Sequence, residues 1–237
     1  HFERRELRVN VVEMEILYCG VCHSDVHVAR NDWGGSSYPV VPGHEIVGRV
    51  TAVGSNVSKY NVGDHVAVGC MVDSCQECDE CHNDHEQYCR NTFTLTYGSP
   101  DRITNDMTQG GYSKHIVVRE EFVLRLPENL DLAKAAPLLC AGITTYSPLR
   151  EWNVGPGSRV GVVGMGGLGH MAIKLAVGLG ADVTVISTSP KKEADAQELG
   201  AHNFLVSKDE DAMAAAASSF DLIIDTVPVN HDLNPYI

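Results

Sequence analysis

Four of the eight cysteines in this 237-residue chain lie between Cys75 and Cys89, at the spacing C-x2-C-x2-C-x7-C. In and just before the segment, CQECDECHNDHEQYC, stand the acids Asp73, Glu77, Asp79, Glu80, Asp84 and Glu86, with almost nothing apolar to bury. A disulfide framework suits short secreted chains, and this chain is neither short nor visibly secreted. Scattered core thiols would need apolar neighbours. Thiolates two residues apart can instead converge on one tetrahedral cation, and Zn²⁺ with four sulfurs is a closed, structural site. Ligand bonds would then stand in for the hydrophobic core that residues 73–91 lack.

A second group of metal-ligand types is spread along the chain. GVCHSDVH carries Cys22, His23, Ser24, Asp25 and His27, and VPGHEIVG carries His44 and Glu45. Taken singly, a histidine after glycine is an ordinary loop or core histidine, and a lone cysteine is ordinary core. Cys22 and His44 each end an apolar stretch and each stand near an acid. A cysteine, a histidine and one further protein ligand around a cation with an open position make a catalytic zinc site. Cys140, in APLLCAGITTY, is the third candidate, although by itself it fits a buried core cysteine as well.

The third chemical signal is SRVGVVGMGGLGHMAIKLAVGLGADVTVIST. Gly164, Gly166, Gly167 and Gly169 form G-x-G-G-x-G, with Met165 and Leu168 between them. Residues 158–163 read as a strand, 168–178 as a helix and 182–187 as a second strand. In that setting the glycines allow a tight turn and close approach of a pyrophosphate to the amides at a helix start. NAD-binding units usually end the second strand in an acid that holds the ribose hydroxyls. Here Ser187, Thr188 and Ser189 are followed by Pro190, Lys191 and Lys192. Hydroxyls, cations and no acid suit a 2′-phosphate, hence NADP(H). The same stretch also reads as a helix start with Ser189 at the N-cap and Pro190 at N1.

These residues need elements to hold them. Strand–helix alternation continues through a helix at 190–199, strands at 201–206 and 220–227 and a helix at 211–219, which implies a parallel doubly wound sheet. The N-terminal part has short strands (EMEILYCG, EIVGRVTAVG, DHVAVG, YSKHIVV) punctuated by Gly and Pro, an all-β, barrel-like pattern. AKAAPLLCAGITTYSPL reads as a helix joining the two. The domains are therefore 1–150, with the cysteine lobe at 73–91, and 151–237, a partial Rossmann unit. Composition agrees: 43% hydrophobic and 21% charged residues suit a globular chain, and a net charge of −13 argues against nucleic acid or anionic membrane as partner. No stretch approaches the roughly 20 apolar residues of a transmembrane helix, so a cytoplasmic enzyme of small molecules is expected.

GHEIVGRVTAVGSNV matches G-H-E-x2-G-x5-G-x2-V, and with CGVCHSD, YPVVPGHE, GGYSKHIVV, GMGGLGH and VISTSPKK the whole chain resembles the zinc-containing medium-chain alcohol dehydrogenases. More narrowly, it is similar to the cinnamyl alcohol dehydrogenase-like, NADP-dependent aldehyde reductases. The resemblance implies a GroES-like catalytic domain, a Rossmann domain and two zinc ions per chain. It implies that Cys22, His44 and Cys140 ligate the catalytic zinc, with Glu45 able to take the fourth position. It implies that Asp25 orients His44, that Ser24 and His27 relay the proton, and that Cys75, Cys78, Cys81 and Cys89 hold the structural zinc. Thr144, the run Gly164–Gly169, Ser187, Thr188, Ser189 and Lys192 are implied cofactor contacts, and Trp33 a substrate-pocket wall. The implied reaction is hydride transfer between NADP(H) and a primary alcohol or aldehyde, in the direction of aldehyde reduction, by a homodimer. The family's fold continues past the fourth strand, to the six of this architecture. The chain is thus expected to be a fragment, whose isolated form keeps its structural zinc, aggregates and turns over little aldehyde. The alternatives are an inactive zinc and nucleotide-binding module and a zinc-independent quinone reductase; the latter lacks the Cys22/His44/Cys140 set.

Overall fold

The computed structural model describes residues 2–237, which form two compact units, one ending at Cys140 and the other spanning Ala141–Ile237. The first unit contains seven strands: β1 (Val11–Cys19), β2 (Ile46–Val53), β3 (His65–Val68), β4 (Met71–Asp73), β5 (Thr94–Leu95), β6 (His115–Arg119) and β7 (Leu124–Arg125). Five make an antiparallel sheet in the order β6-β1-β2-β3-β7, and β4 and β5 make a separate ribbon. Period-2 alternation gives β2 two different buried faces. Ile46 and Val50 join Val12, Met14, Val66, Val68, Val118 and, from the ribbon, Val72 in one core. Val47 points the other way, onto Ala67, Ala135, Ala136 and Leu139. The strand that delivers His44 to its place is thus clamped from both sides.

Two helices interrupt the strands: α1 (His23–Arg30), which apolar periodicity does not mark, and α2 (Asp79–His82) in the cysteine lobe. α1 starts at Cys22, the N-cap, in a capping box closed by Asp25.

The sequence reads 133–149 as one helix, and the structure breaks it. α3 (Leu132–Ala135) passes into a 3-10 turn at Ala136–Leu139, and α4 (Ala141–Glu151) begins afresh. Between them Cys140 has φ −130° and ψ −72°, outside helical geometry. Pro137 supplies no N–H to an α ladder and sits in the first turn of the 3-10 segment, which tolerates it. α4 accommodates its own Pro148, so Pro137 favours the break without forcing it alone. The division of units also falls ten residues before the 150/151 boundary read from sequence. Leu149 of α4 is fully buried with Val160 and Ile173, so the helix belongs to the second unit.

That second unit alternates β8 (Arg159–Val163), α5 (Gly167–Gly178), β9 (Asp182–Ser187), α6 (Glu193–Glu198), β10 (Asn203–Val206), α7 (Glu210–Ala215) and β11 (Leu222–Asp225). Its four strands are parallel, in the order β10-β9-β8-β11. Counted from β8 this is 3-2-1-4, the first four places of the Rossmann order. The partial doubly wound sheet expected from sequence is present, with Val160, Val162, Val183 and Val185 against Ala172, Ile173 and Ala176 of α5. Among the described residues no helix is long and apolar enough to cross a membrane.

Candidate active site

The ligand atoms of Cys22, His44 and Cys140 lie within 4.8 Å of one another, although the residues are up to 118 positions apart. Each is delivered by a different device: Cys22 by the start of α1, His44 by the turn into β2, and Cys140 by the helix break. The Cys22 and Cys140 sulfurs are 3.8 Å apart. Asp25 holds His44. Its Oδ1 accepts from His44 Nδ1 at 2.9 Å and from the Gly43 N–H at 2.9 Å. Its Oδ2 accepts from the Cys22 N–H at 3.0 Å and from the Tyr112 hydroxyl at 2.9 Å. Both Asp25 and His44 are buried. Burial pushes the Asp25 carboxyl up, but the His44 ring and the Gly43 N–H outweigh it and bring it to about 2. Burial pushes the His44 ring down, and Asp25 with the Cys140 and Cys22 sulfurs reverses this strongly. The neighbouring Cys140 raises the Cys22 thiol to about 11. Two thiols and a ring nitrogen converge here, with Nδ1 engaged and Nε2 left to face the sulfurs. That donor set fits a divalent, thiophilic cation with an open coordination position.

A cavity of about 280 Å³ opens at this site, lined among others by Ser24, Trp33, Cys70, Leu95, Tyr97 and Cys140. Trp33 is 64% exposed and lies 4.8 Å from the His27 ring. His27 Nδ1 is 2.8 Å from Asp32 Oδ2, and its ring stacks on His23. Glu45 is buried, with its Oε2 packed over Gly20.

The second group is closed. Cys75, Cys78, Cys81 and Cys89 also bring their sulfurs within 4.8 Å. The Sγ–Sγ distances from Cys81 to Cys75 and Cys78 are 3.8 Å and 3.6 Å. Backbone amides already face the sulfurs. The Glu77 N–H pulls the Cys75 thiol down to about 6, and the Cys81 N–H lowers Cys78. Burial raises Cys81 to about 11. Four sulfurs, hydrogen-bonded as thiolates are, fit a tetrahedral cation with no open position. A larger cavity, about 480 Å³ around Arg4, Arg5 and Asp101, contains none of these ligands.

In the second unit Gly164 has φ 86° and α5 starts at Gly167. A Cβ on Gly169 would stand 2.3 Å from the Gly164 carbonyl oxygen, whereas one on Gly167 would meet nothing within 4 Å. Gly169 thus sets close packing of α5 on the β8 turn, and Gly167 leaves space beside the helix start, where free amides face outward. Ser187 ends β9 and is buried; Thr188 and Lys192 are exposed. Ser189 occupies the N-cap of a 3-10 turn at Pro190–Lys192, but its side chain caps nothing. Its hydroxyl therefore remains free for a ligand. Thr144 is exposed on α4.

Residues 9–128 match the alcohol dehydrogenase GroES-like domain, and residues 167–237 match the zinc-binding dehydrogenase domain. The chain is 55% identical over 235 residues to an NADP-dependent alcohol dehydrogenase C 1 of Mycolicibacterium smegmatis, covering 99% of this chain and 67% of the relative. It is 55% identical over 234 residues to the aldehyde reductase YahK of Escherichia coli, covering 98% and 67%. Among solved structures, a cinnamyl alcohol dehydrogenase of Sorghum bicolor superposes with a TM-score of 0.94 at 50% identity, over 99% of this chain and 67% of that one. This chain belongs to the zinc-type alcohol dehydrogenase family. It spans about two thirds of the length of the curated relatives it matches.

Within this alcohol dehydrogenase chain, the structure brings Cys22, Asp25 and His44 together with Cys140, and separately unites the four lobe cysteines. Ser24 and Trp33 line the same cavity. Sequence reasoning missed Tyr112, Tyr97 and Cys70. Tyr112 follows the glycine pair of GGYSKHIVV, but nothing local indicates that its hydroxyl reaches a residue 87 positions away. Cys70 and Tyr97 carry no spacing signal at all.

Proposed function

We propose that the protein of which this chain is at least a part transfers hydride between NADP(H) and a primary alcohol or aldehyde, with aldehyde reduction as the working direction. The observation that carries this is the Cys22/His44/Cys140 cluster, two members of which, His44 and Cys140, line an open cavity, with its histidine fixed by a buried carboxylate. Zinc held by these three ligands supplies Lewis-acid polarisation of the substrate oxygen, and NADP(H) supplies the hydride. Asp25 keeps the proton of His44 on Nδ1, so that Nε2 is the ligating atom. Ser24 presents its hydroxyl at the cavity wall, as a donor to the oxygen of the product. His27, three residues on along α1 and partly exposed, has Nδ1 on Asp32 and leaves Nε2 to exchange a proton with solvent. Glu45 stands beside the ligand set as an exchangeable carboxylate. Trp33 and Leu95 give the cavity apolar walls. Cys75, Cys78, Cys81 and Cys89 hold a second zinc that organises the lobe. Gly164–Gly169 and Thr144 contact the dinucleotide, and Ser187, Thr188, Ser189 and Lys192 take its 2′-phosphate.

The test is NADPH oxidation over a panel of aldehydes by a protein extended to its relatives' length, with elemental analysis of the same preparation. Turnover with two zinc ions per chain is the expected outcome. Two zinc ions with no turnover on any aldehyde, by a protein extended to its relatives' length, would leave only the metal and nucleotide-binding reading.

A further inference from the structure

Tyr112 meets the two supports of His44, the backbone that leads into it and the carboxylate that holds its ring. The Tyr112 N–H donates to the Pro42 carbonyl at 3.0 Å, the Gly111 N–H to that of Gly43 at 2.8 Å, and the Gly110 N–H to that of Val41 at 2.6 Å. Residues 110–112 are thereby laced along the three residues that lead into His44. The side chain then turns back to the opposite partner of that histidine. The Tyr112 hydroxyl is 2.9 Å from Asp25 Oδ2 and 3.2 Å from the Gly20 carbonyl oxygen. One phenolic hydrogen serves the nearer, charged acceptor, because charge-assisted hydrogen bonds are the stronger ones. Asp25 consequently has two donors on each oxygen: Gly43 N–H and His44 on Oδ1, Cys22 N–H and Tyr112 on Oδ2. Of these four, the Tyr112 hydroxyl belongs neither to a proposed zinc ligand nor to the residue beside one; the Tyr97 side chain, whose ring lies 5.8 Å from that of His44, also acts on Asp25.

We infer that Tyr112 is a positioning residue for the Cys22/His44/Cys140 metal site, acting through Asp25 to hold the His44 ring at its ligating angle. Without the hydroxyl, Oδ2 loses one of its two direct donors, the Cys22 N–H remaining, and the carboxylate is less firmly fixed against rotation that would carry the imidazole with it. Outer partners of ligating histidines act in this way, and the contact here lies one link further out. The inference rests on the zinc site proposed above.

Tyr112 is 41% exposed, so Tyr112→Phe removes the hydroxyl without emptying a core. Cobalt titration reads both sites at once, because a four-thiolate ion and a mixed Cys/His ion differ in their d–d absorption. The expected result is a loss of about tenfold in Co²⁺ affinity at the mixed site, the lower end of the range for such partners, with the four-thiolate site unchanged. In an Asp25→Asn background the same substitution should cost nothing further, since coupled residues are not additive. Wild-type affinity at the mixed site of the Tyr112→Phe protein overturns the inference. So does an equal loss at both sites, which marks general destabilisation, or a full penalty retained in the Asp25→Asn background. If the unaltered protein takes up Co²⁺ at the four-thiolate site alone, the proposed zinc site itself has failed, and the inference with it.

Discussion

Single residues separate the two cysteine sets by their chemistry. Cys22→Ala removes one of the three proposed ligands around an open site on a folded frame, so NADPH-dependent turnover should be abolished while the circular dichroism spectrum and melting temperature stay close to those of the parent. Cys78→Ala breaks a closed site in a lobe with no apolar core, and should lower melting temperature and yield first. The reverse ranking would mean that the two sites have been assigned the wrong way round. Asp25 adds a pH dependence. Its carboxyl lies at about 2, below its ordinary 3.8, so the folded state favours the charged form. That stability is present above pH 3.8 and is lost as pH falls through about 2. Asp25→Asn should flatten the acid limb of the stability curve over this interval and lower metal affinity at the mixed site by roughly 10- to 100-fold. An acid limb identical to that of the parent would show that the carboxylate is not held by its donors.

At the scale of elements, the turn from β8 into α5 carries the clearest prediction. Gly169→Ala places a methyl 2.3 Å from the Gly164 carbonyl oxygen and must push α5 off the strand. Gly167→Ala meets nothing. The first substitution should lower the melting temperature without cofactor present; the second should leave it unchanged and instead impair NADPH binding, if pyrophosphate occupies the space beside the helix start. Equal cofactor affinity of Gly167→Ala and parent would place the pyrophosphate elsewhere. The end of β9 offers the complementary test. Ser187→Asp introduces a carboxylate where the 2′-phosphate is proposed to bind, and should raise the KM for NADPH while lowering that for NADH. No change in the ratio would remove Ser187 from the cofactor site.

Each unit has its own apolar core: two clusters on the two faces of the antiparallel sheet in the first, and one on the parallel sheet in the second. Each unit therefore has its own source of cooperativity, and calorimetry should resolve two transitions. A strong zinc chelator should lower the transition of the first unit only, because both cysteine sets lie there. NADPH at a hundred times its Kd should stabilise the second by about 2.7 kcal/mol. A single transition that moves as one under both treatments would show that the units unfold together.

Local chemistry carried much of this protein in its sequence. The C-x2-C-x2-C-x7-C spacing confines four sulfurs to a short loop whatever surrounds it. G-x-G-G-x-G between an apolar strand and a helix has one backbone solution, because only glycine tolerates φ 86° at Gly164 and the contact at Gly169. Strand–helix alternation specified the parallel sheet. What depends on contacts between distant segments was not legible. The union of Cys22, His44 and Cys140 was legible only as a candidate set, suggested by residue type and then by resemblance, since no periodicity links positions so far apart. The break that frees Cys140 from its helix arises from Pro137 together with the packing of Leu139 under β2, and of Leu149 in the other core. The role of Tyr112 needed the fold itself: a hydroxyl's hydrogen-bond partner is decided by which backbone segments lie side by side, and tertiary structure alone sets residues 110–112 beside residues 41–43.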